Sequence, residues 1–122
     1  MYELTVKSDF ASSHSLREYD GKCKNLHGHT WKVDITIETD SLVNDMVVDF
    51  KELKTIIDDT FDHKYINDEV SYNPTAENIA QDIYKIVRDI YYGQAPKDQD
   101  RPEPKISIRL WESDTASILY TE

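Results

Sequence analysis

Two histidines stand two residues apart at His27-Gly28-His29, with a thiol, Cys23, four residues upstream. In an extended strand, side chains at i and i+2 point to the same face. Both imidazoles can therefore be aimed at one ion, and Gly28 between them lets the backbone come close to whatever they hold. Beyond them Trp31, Val33, Ile35 and Ile37 alternate with Lys32, Asp34, Thr36 and Glu38. That is the pattern of a half-buried strand, and its apolar row has the parity of the histidines. The imidazoles extend a core-facing stripe.

Two further rows end the same way. Leu4, Val6, Ser8, Phe10 and Ser12 lead to His14, and Ile106, Ile108 and Leu110 lead to Glu112. Buried polar groups need partners, so His14, His27, His29 and Glu112 at the ends of apolar rows call for a common one. Three histidines with a fourth position open form a catalytic zinc arrangement, whereas a structural zinc site has four protein ligands. Cys23 is a candidate fourth ligand, and from the residues alone both arrangements stand.

The elements that must position these groups follow from periodicity. A first strand spans 2–14, with a bulge expected near Ser8-Asp9. A polar connection, Ser15 to Leu26, carries the Asp20-Gly21 turn signal together with Arg17, Lys22, Cys23 and Lys24. A second strand runs from about His27 to Thr39. Asp49, with Glu52 three residues on, is an Asp variant of the capping box and opens a helix over about 49–60, with Leu53, Ile56, Ile57 and Phe61 at helical spacing. Residues 62–68 read as a loop. Asn73-Pro74-Thr75 starts a second helix, with Ile79, Ile83, Ile86, Val87 and Ile90 as its stripe, ending near Gly93 and Pro96. Residues 94–104 read as a polar surface loop. The third strand carries Ile106 to Glu112, and the fourth carries Ile118 and Tyr120 after a Ser113-Asp114-Thr115 turn. The order β-β-α-α-β-β predicts an α+β domain, a four-stranded antiparallel sheet with two helices on one face. Such a sheet has two open edges, and closing several copies edge to edge into a barrel would cover them.

With 122 residues, the chain is expected to form a single domain over 1–122. Its 24 acidic and 14 basic residues give a net charge of −10, which argues against nucleic acid or an acidic membrane surface as partner. An anionic substrate would have to be held by cations gathered locally, for which Arg17, Lys22, Lys24 and Lys64 are the candidates. One cysteine allows no disulfide within the chain, so a reducing cytoplasm is the expected location. No cationic stretch followed by an apolar one opens the sequence, and no apolar run reaches the length of a membrane span.

Taken together, Cys-x-x-x-His-Gly-His at 23–29, Phe-Ala-Ser-Ser-His at 10–14, Asp62-His63, Asn73-Pro74-Thr75-Ala76-Glu77-Asn78 and Trp111-Glu112 resemble the 6-pyruvoyl-tetrahydropterin synthase superfamily. The order of motifs matches along residues 1–122. The three-residue gap between Cys23 and His27 is similar to the 6-carboxy-tetrahydropterin synthase branch, the QueD enzymes of queuosine synthesis. The resemblance implies a tunnelling fold (T-fold), in which sheets of several subunits, usually six, close into a barrel with active sites between them. It implies zinc on His14, His27 and His29, with the open position taking the side-chain hydroxyls of 7,8-dihydroneopterin triphosphate. Cys23 is implied as the proton-abstracting base and His63, oriented by Asp62, as its acid/base partner. Glu112 is implied to grip the pterin ring, and Thr75 and Lys24 to contact substrate. The reaction implied yields 6-carboxy-5,6,7,8-tetrahydropterin, acetaldehyde and triphosphate. Elimination of triphosphate alone, to the pyruvoyl pterin, is the alternative enzyme, and a zinc-stabilised pterin-binding module is the non-catalytic one. Ser113 and Tyr65 depart from many relatives, which carry Thr and Leu there.

Overall fold

The computed structural model describes residues 1–17, 20–21 and 25–122. Its first two strands, β1 (Tyr2–His14) and β2 (His27–Thr39), pair antiparallel without interruption from Tyr2↔Thr39 to His14↔His27. The bulge expected near Ser8-Asp9 is absent, because Ser8 pairs with Val33 and Asp9 with Lys32 in unbroken register. The polar pair interrupts the apolar composition of the strand but not its alternation. Three more strands, β3 (Lys64–Tyr65), β4 (Lys105–Ser113) and β5 (Ala116–Thr121), complete a sheet ordered β3-β1-β2-β4-β5.

The sheet is therefore five-stranded and mixed, where four antiparallel strands were expected. The addition comes from the 62–68 segment, which was expected as a loop. Lys64 and Tyr65 pair in parallel with Ser12 and Ser13, and the short helix α2 (Ile66–Glu69) follows, burying Ile66. The addition is anchored by tertiary contacts. The Asp62 carboxylate accepts the Ala11 N–H at 2.9 Å, and the His63 N–H donates to the Ala11 carbonyl at 2.6 Å. A two-residue strand shows no alternation to read.

Two longer helices cover one face of the sheet. Helix α1 (Phe50–Phe61) begins as expected, with Asp49 accepting the Lys51 N–H. Glu52 does not close the capping box. The Gln94 amide does so instead, accepting the Asp49 N–H at 2.7 Å and donating to Glu52 at 2.8 Å. Helix α3 (Ala76–Gly93) is capped by Thr75, whose hydroxyl oxygen accepts the Asn78 N–H. Leu53, Ile57 and Phe61 of α1 and Ile79, Ile83, Val87 and Tyr91 of α3 are buried against Phe10, Trp31, Val33, Ile35, Ile106 and Ile108 of the sheet. These positions recur at three or four residues on the helices and at two on the strands, so each element presents one apolar side to a shared core.

The 94–104 segment is less of a surface loop than its composition implies. Arg101 is 8% exposed. Its guanidinium donates to the carbonyls of Ser41, Val47 and Tyr91 at 2.7–2.9 Å and lies 3.6 Å from the centre of the Tyr91 ring. Among the described residues no helix is long and apolar enough to cross a membrane.

Candidate metal centre

Strands β1 and β2 finish side by side, so His14 faces His27 across the last pair of the ladder and Ser12 faces His29 across the pair before the last but one. The three imidazoles meet on the core face, with ring centres 4.4 Å apart for His14–His27, 4.7 Å for His27–His29 and 5.1 Å for His14–His29. Trp31, fully buried, closes the inner wall, with its ring 5.0 Å from His14 and 5.4 Å from His29.

Outer contacts fix two of the rings. His14 Nδ1 lies 2.8 Å from the Pro74 carbonyl and His27 Nδ1 lies 2.8 Å from the Asn25 carbonyl. A carbonyl only accepts, so each Nδ1 carries a proton, and in the neutral ring Nε2 is then the nitrogen with the free lone pair. Pro74 belongs to the turn that caps α3. That turn is held by Asn73, whose carbonyl accepts from Thr75 N–H and from the Asn78 side chain. The Asn73–Asn78 motif thus orients a histidine sixty residues away, a role with no signature in local periodicity.

Glu112 joins the three histidines. Its Oε1 is 3.0 Å from His29 Nε2 and 3.6 Å from His14 Nε2. A β-bulge aims it there. Trp111 pairs with Ser117 but Ser113 with Ala116, so β4 has one residue more than β5 at Glu112, and such a bulge turns a side chain out of the ladder. One donor atom each from His14, His27, His29 and Glu112 lies within 4.8 Å of all the others.

The electrostatics suit a cation. Burial holds both His14 and His29 below the ordinary histidine value, against the opposing pull of Glu112, and the Pro74 carbonyl also resists for His14. Both rings are thus kept neutral with their lone pairs available. Nε2 of His14 and of His29 is buried without a hydrogen-bond partner, since the short approach of Glu112 to His29 has no hydrogen-bond geometry. Leaving such an atom unmatched costs about 1–3 kcal/mol. A divalent ion held here would relieve both, and imidazole nitrogen, with or without a carboxylate oxygen, is a donor set zinc accepts. The residues present fit the metal.

Asp62 and His63 form a separate pair. His63 Nδ1 donates to Asp62 Oδ2 at 2.8 Å, and the His63 side chain is 84% exposed. The Ala11 N–H, with His63 second, holds the Asp62 carboxyl below the usual carboxylate range. His63 has a φ of 55°, a left-handed backbone that a residue with a β-carbon seldom adopts. Neither residue belongs to the four-donor cluster. Thr75 is engaged as the cap of α3. Of the cation candidates, Arg17 donates to the carbonyls of Ser71, Asn67 and Val70 at 2.6–3.1 Å and so staples the 67–71 segment, while Lys64 lies half-buried in β3. Cys23, Lys22 and Lys24 lie outside the described residues.

The profile of the family described as 6-pyruvoyl tetrahydropterin synthase matches residues 3–122. Among curated proteins, the 6-carboxy-5,6,7,8-tetrahydropterin synthase of Haemophilus influenzae is 30% identical over 151 aligned residues that cover 100% of both chains. That of Bacillus subtilis is 32% identical over 96 residues, covering 71% of this chain and 66% of the relative. Among solved structures, the 6-pyruvoyl tetrahydropterin synthase of Caenorhabditis elegans superposes with a TM-score of 0.72 at 20% identity, covering 99% of this chain and 95% of the other. The Plasmodium falciparum protein of that name gives 0.71 at 19%, covering 99% and 97%. At these identities the two structures speak to the fold.

Proposed function

The chain belongs to the 6-pyruvoyl tetrahydropterin synthase family, and from that premise we propose that it is a zinc-dependent lyase of 7-deazaguanine and queuosine synthesis. It converts 7,8-dihydroneopterin triphosphate to 6-carboxy-5,6,7,8-tetrahydropterin with loss of acetaldehyde and triphosphate. The observation that carries this reading is the convergence of three imidazoles, two of them already oriented by a carbonyl on the outer nitrogen, at the end of a strand preceded by Cys23. The carboxy product is favoured over the pyruvoyl one because the relatives at 30% identity and above carry the carboxy name.

His14, His27 and His29 are the residues that would hold the zinc, each offering Nε2. When bound there, the metal supplies Lewis-acid polarisation of the substrate's side-chain hydroxyls and the adjacent C–H bond. The Cys23 thiolate takes the carbon-bound proton, its ionisation favoured by Lys22 and Lys24 beside it in sequence. His63 returns or accepts a proton at Nε2, because Nδ1 is tied to Asp62, which fixes the tautomer. The strained backbone of His63 supports a working role, since such strain persists where the surroundings impose it. A carboxylate matched to the amino-pyrimidinone edge makes two parallel hydrogen bonds, and Glu112 provides it, with Thr75 and Lys24 as further substrate contacts.

A recess of about 140 Å³ opens beside Glu112, lined by Ala76, Glu77, Ser117 and Ile118. Ligand pockets usually measure about 300–1,000 Å³, so one copy supplies only part of the wall. Together with the exposed His63, this supports a site completed between copies of a homohexamer. The domain over 1–122, acting in the cytoplasm on a small pterin, requires neither nucleic acid nor membrane.

Incubating the zinc-loaded protein with 7,8-dihydroneopterin triphosphate and resolving the products tests the reading. The carboxy pterin with acetaldehyde is expected. The pyruvoyl pterin alone would assign the chain to triphosphate elimination. One observation favours a second reading. With Glu112 Oε1 inside the donor set, four protein ligands would close the site into a structural one. In Glu112→Gln, an open catalytic centre keeps its zinc and loses turnover, whereas a closed one loses its zinc.

A further inference from the structure

Metal-binding imidazoles nearly always give their second nitrogen to an acceptor, which fixes the ring and its tautomer. His14 gives Nδ1 to the Pro74 carbonyl and His27 to the Asn25 carbonyl. Among the described residues His29 Nδ1 has no such acceptor. Directly across the β1–β2 ladder from His29 stands Ser12, on the core face and 7% exposed, and its Oγ is buried without a hydrogen-bond partner. Side chains directly opposite on one face of an antiparallel pair have β-carbons about 5 Å apart. The imidazole without an outer acceptor and the orphaned hydroxyl thus belong to residues directly opposite each other on one rung.

We propose that Ser12 is the positioning residue of the third imidazole: its hydroxyl oxygen accepts the His29 Nδ1–H, directly or through one buried water, and so holds His29 Nε2 toward the metal. This rests on the metal-centre reading above. A serine hydroxyl both accepts and donates, so it serves the protonated nitrogen without adding charge to a buried site. A buried hydroxyl with no partner costs stability, which Ser12 incurs in the metal-free chain and recovers once His29 is fixed. The indole N–H of Trp31, also buried and unpartnered, can only donate and so cannot serve a protonated Nδ1.

The test uses the full chain, zinc competition against a chromophoric chelator, and thermal melts in excess EDTA. Ser12→Ala is expected to weaken zinc binding about 10–100-fold, while the melting temperature in EDTA holds or rises because an orphaned hydroxyl has gone. Ser12→Thr, which keeps the hydroxyl, is expected to recover most of the affinity. Unchanged zinc affinity in Ser12→Ala overturns the inference alone, as does a loss of affinity matched by a lower melting temperature in EDTA. A wild-type chain that binds no zinc overturns the metal centre together with it.

Discussion

At the scale of single residues, the centre is a set of three imidazoles, two of them oriented in advance by backbone carbonyls. His27→Ala removes one of three nitrogens and is expected to lower zinc content, measured by elemental analysis, below one-tenth of the wild-type value and to abolish turnover. Cys23→Ala is expected to keep full zinc and lose activity at least 100-fold, which separates a proton-transfer group from a ligand. The pH dependence follows from burial. The folded chain holds His14 and His29 below the ordinary value of 6.5, so between that value and the folded one the unfolded chain binds more protons. The metal-free protein therefore loses stability as pH falls below about 6.5, and the loss stops once the folded rings protonate. Urea midpoints across pH 7.5 to 5 check this sign. The clustered donors were legible in the sequence because period-two alternation places His14, His27, His29 and Glu112 on one face. The carbonyls that orient them were not, since Pro74 and Asn25 act through backbone atoms that any residue type possesses.

At the scale of elements, the long hairpin carries the site and the rest braces it. The β4 bulge decides where Glu112 points, and no composition cue at Trp111-Glu112-Ser113 announces it. Alternation alone gave the correct face, and the bulge added the aim. The 62–68 segment shows a different limit, because its two-residue strand exists only through pairing with Ser12 and Ser13, partners distant in sequence. Arg101 is the clearest case of a structural role hidden in a polar stretch, as it ties the 94–104 segment to residues 41–47 and to α3 through three carbonyls. Arg101→Met leaves those carbonyls without their donor and is expected to cost about 3 kcal/mol. In a chain of this length that lowers the melting temperature by roughly 10 °C, with zinc affinity at 25 °C unaffected. Calorimetry and the chelator competition measure the two effects separately.

At the scale of the molecule, the sheet buries its helix-covered face and leaves the other to charge, with Lys7–Asp34, Lys32–Asp114 and Lys105–Glu38 paired at 3.2–3.7 Å. Among the described residues, the outer edge of β1 before Ala11 and the outer edge of β5 have no neighbouring strand. Unpaired edges of this kind recruit strands from other copies. The β-β-α-α-β-β order was sufficient to anticipate this architecture, but the number of copies is a property of edges in contact and lies beyond one chain's pattern. Sedimentation of the full chain is expected to give a single species of six copies, and a monomer at micromolar concentration would contradict a site shared between subunits. The most direct test of the whole account is a zinc titration of chelator-stripped protein, with product formation from 7,8-dihydroneopterin triphosphate read at each step. The account predicts no product without metal and a rise that levels off at one zinc per chain. Turnover in the stripped protein, or full zinc loading with no pterin product, would contradict it.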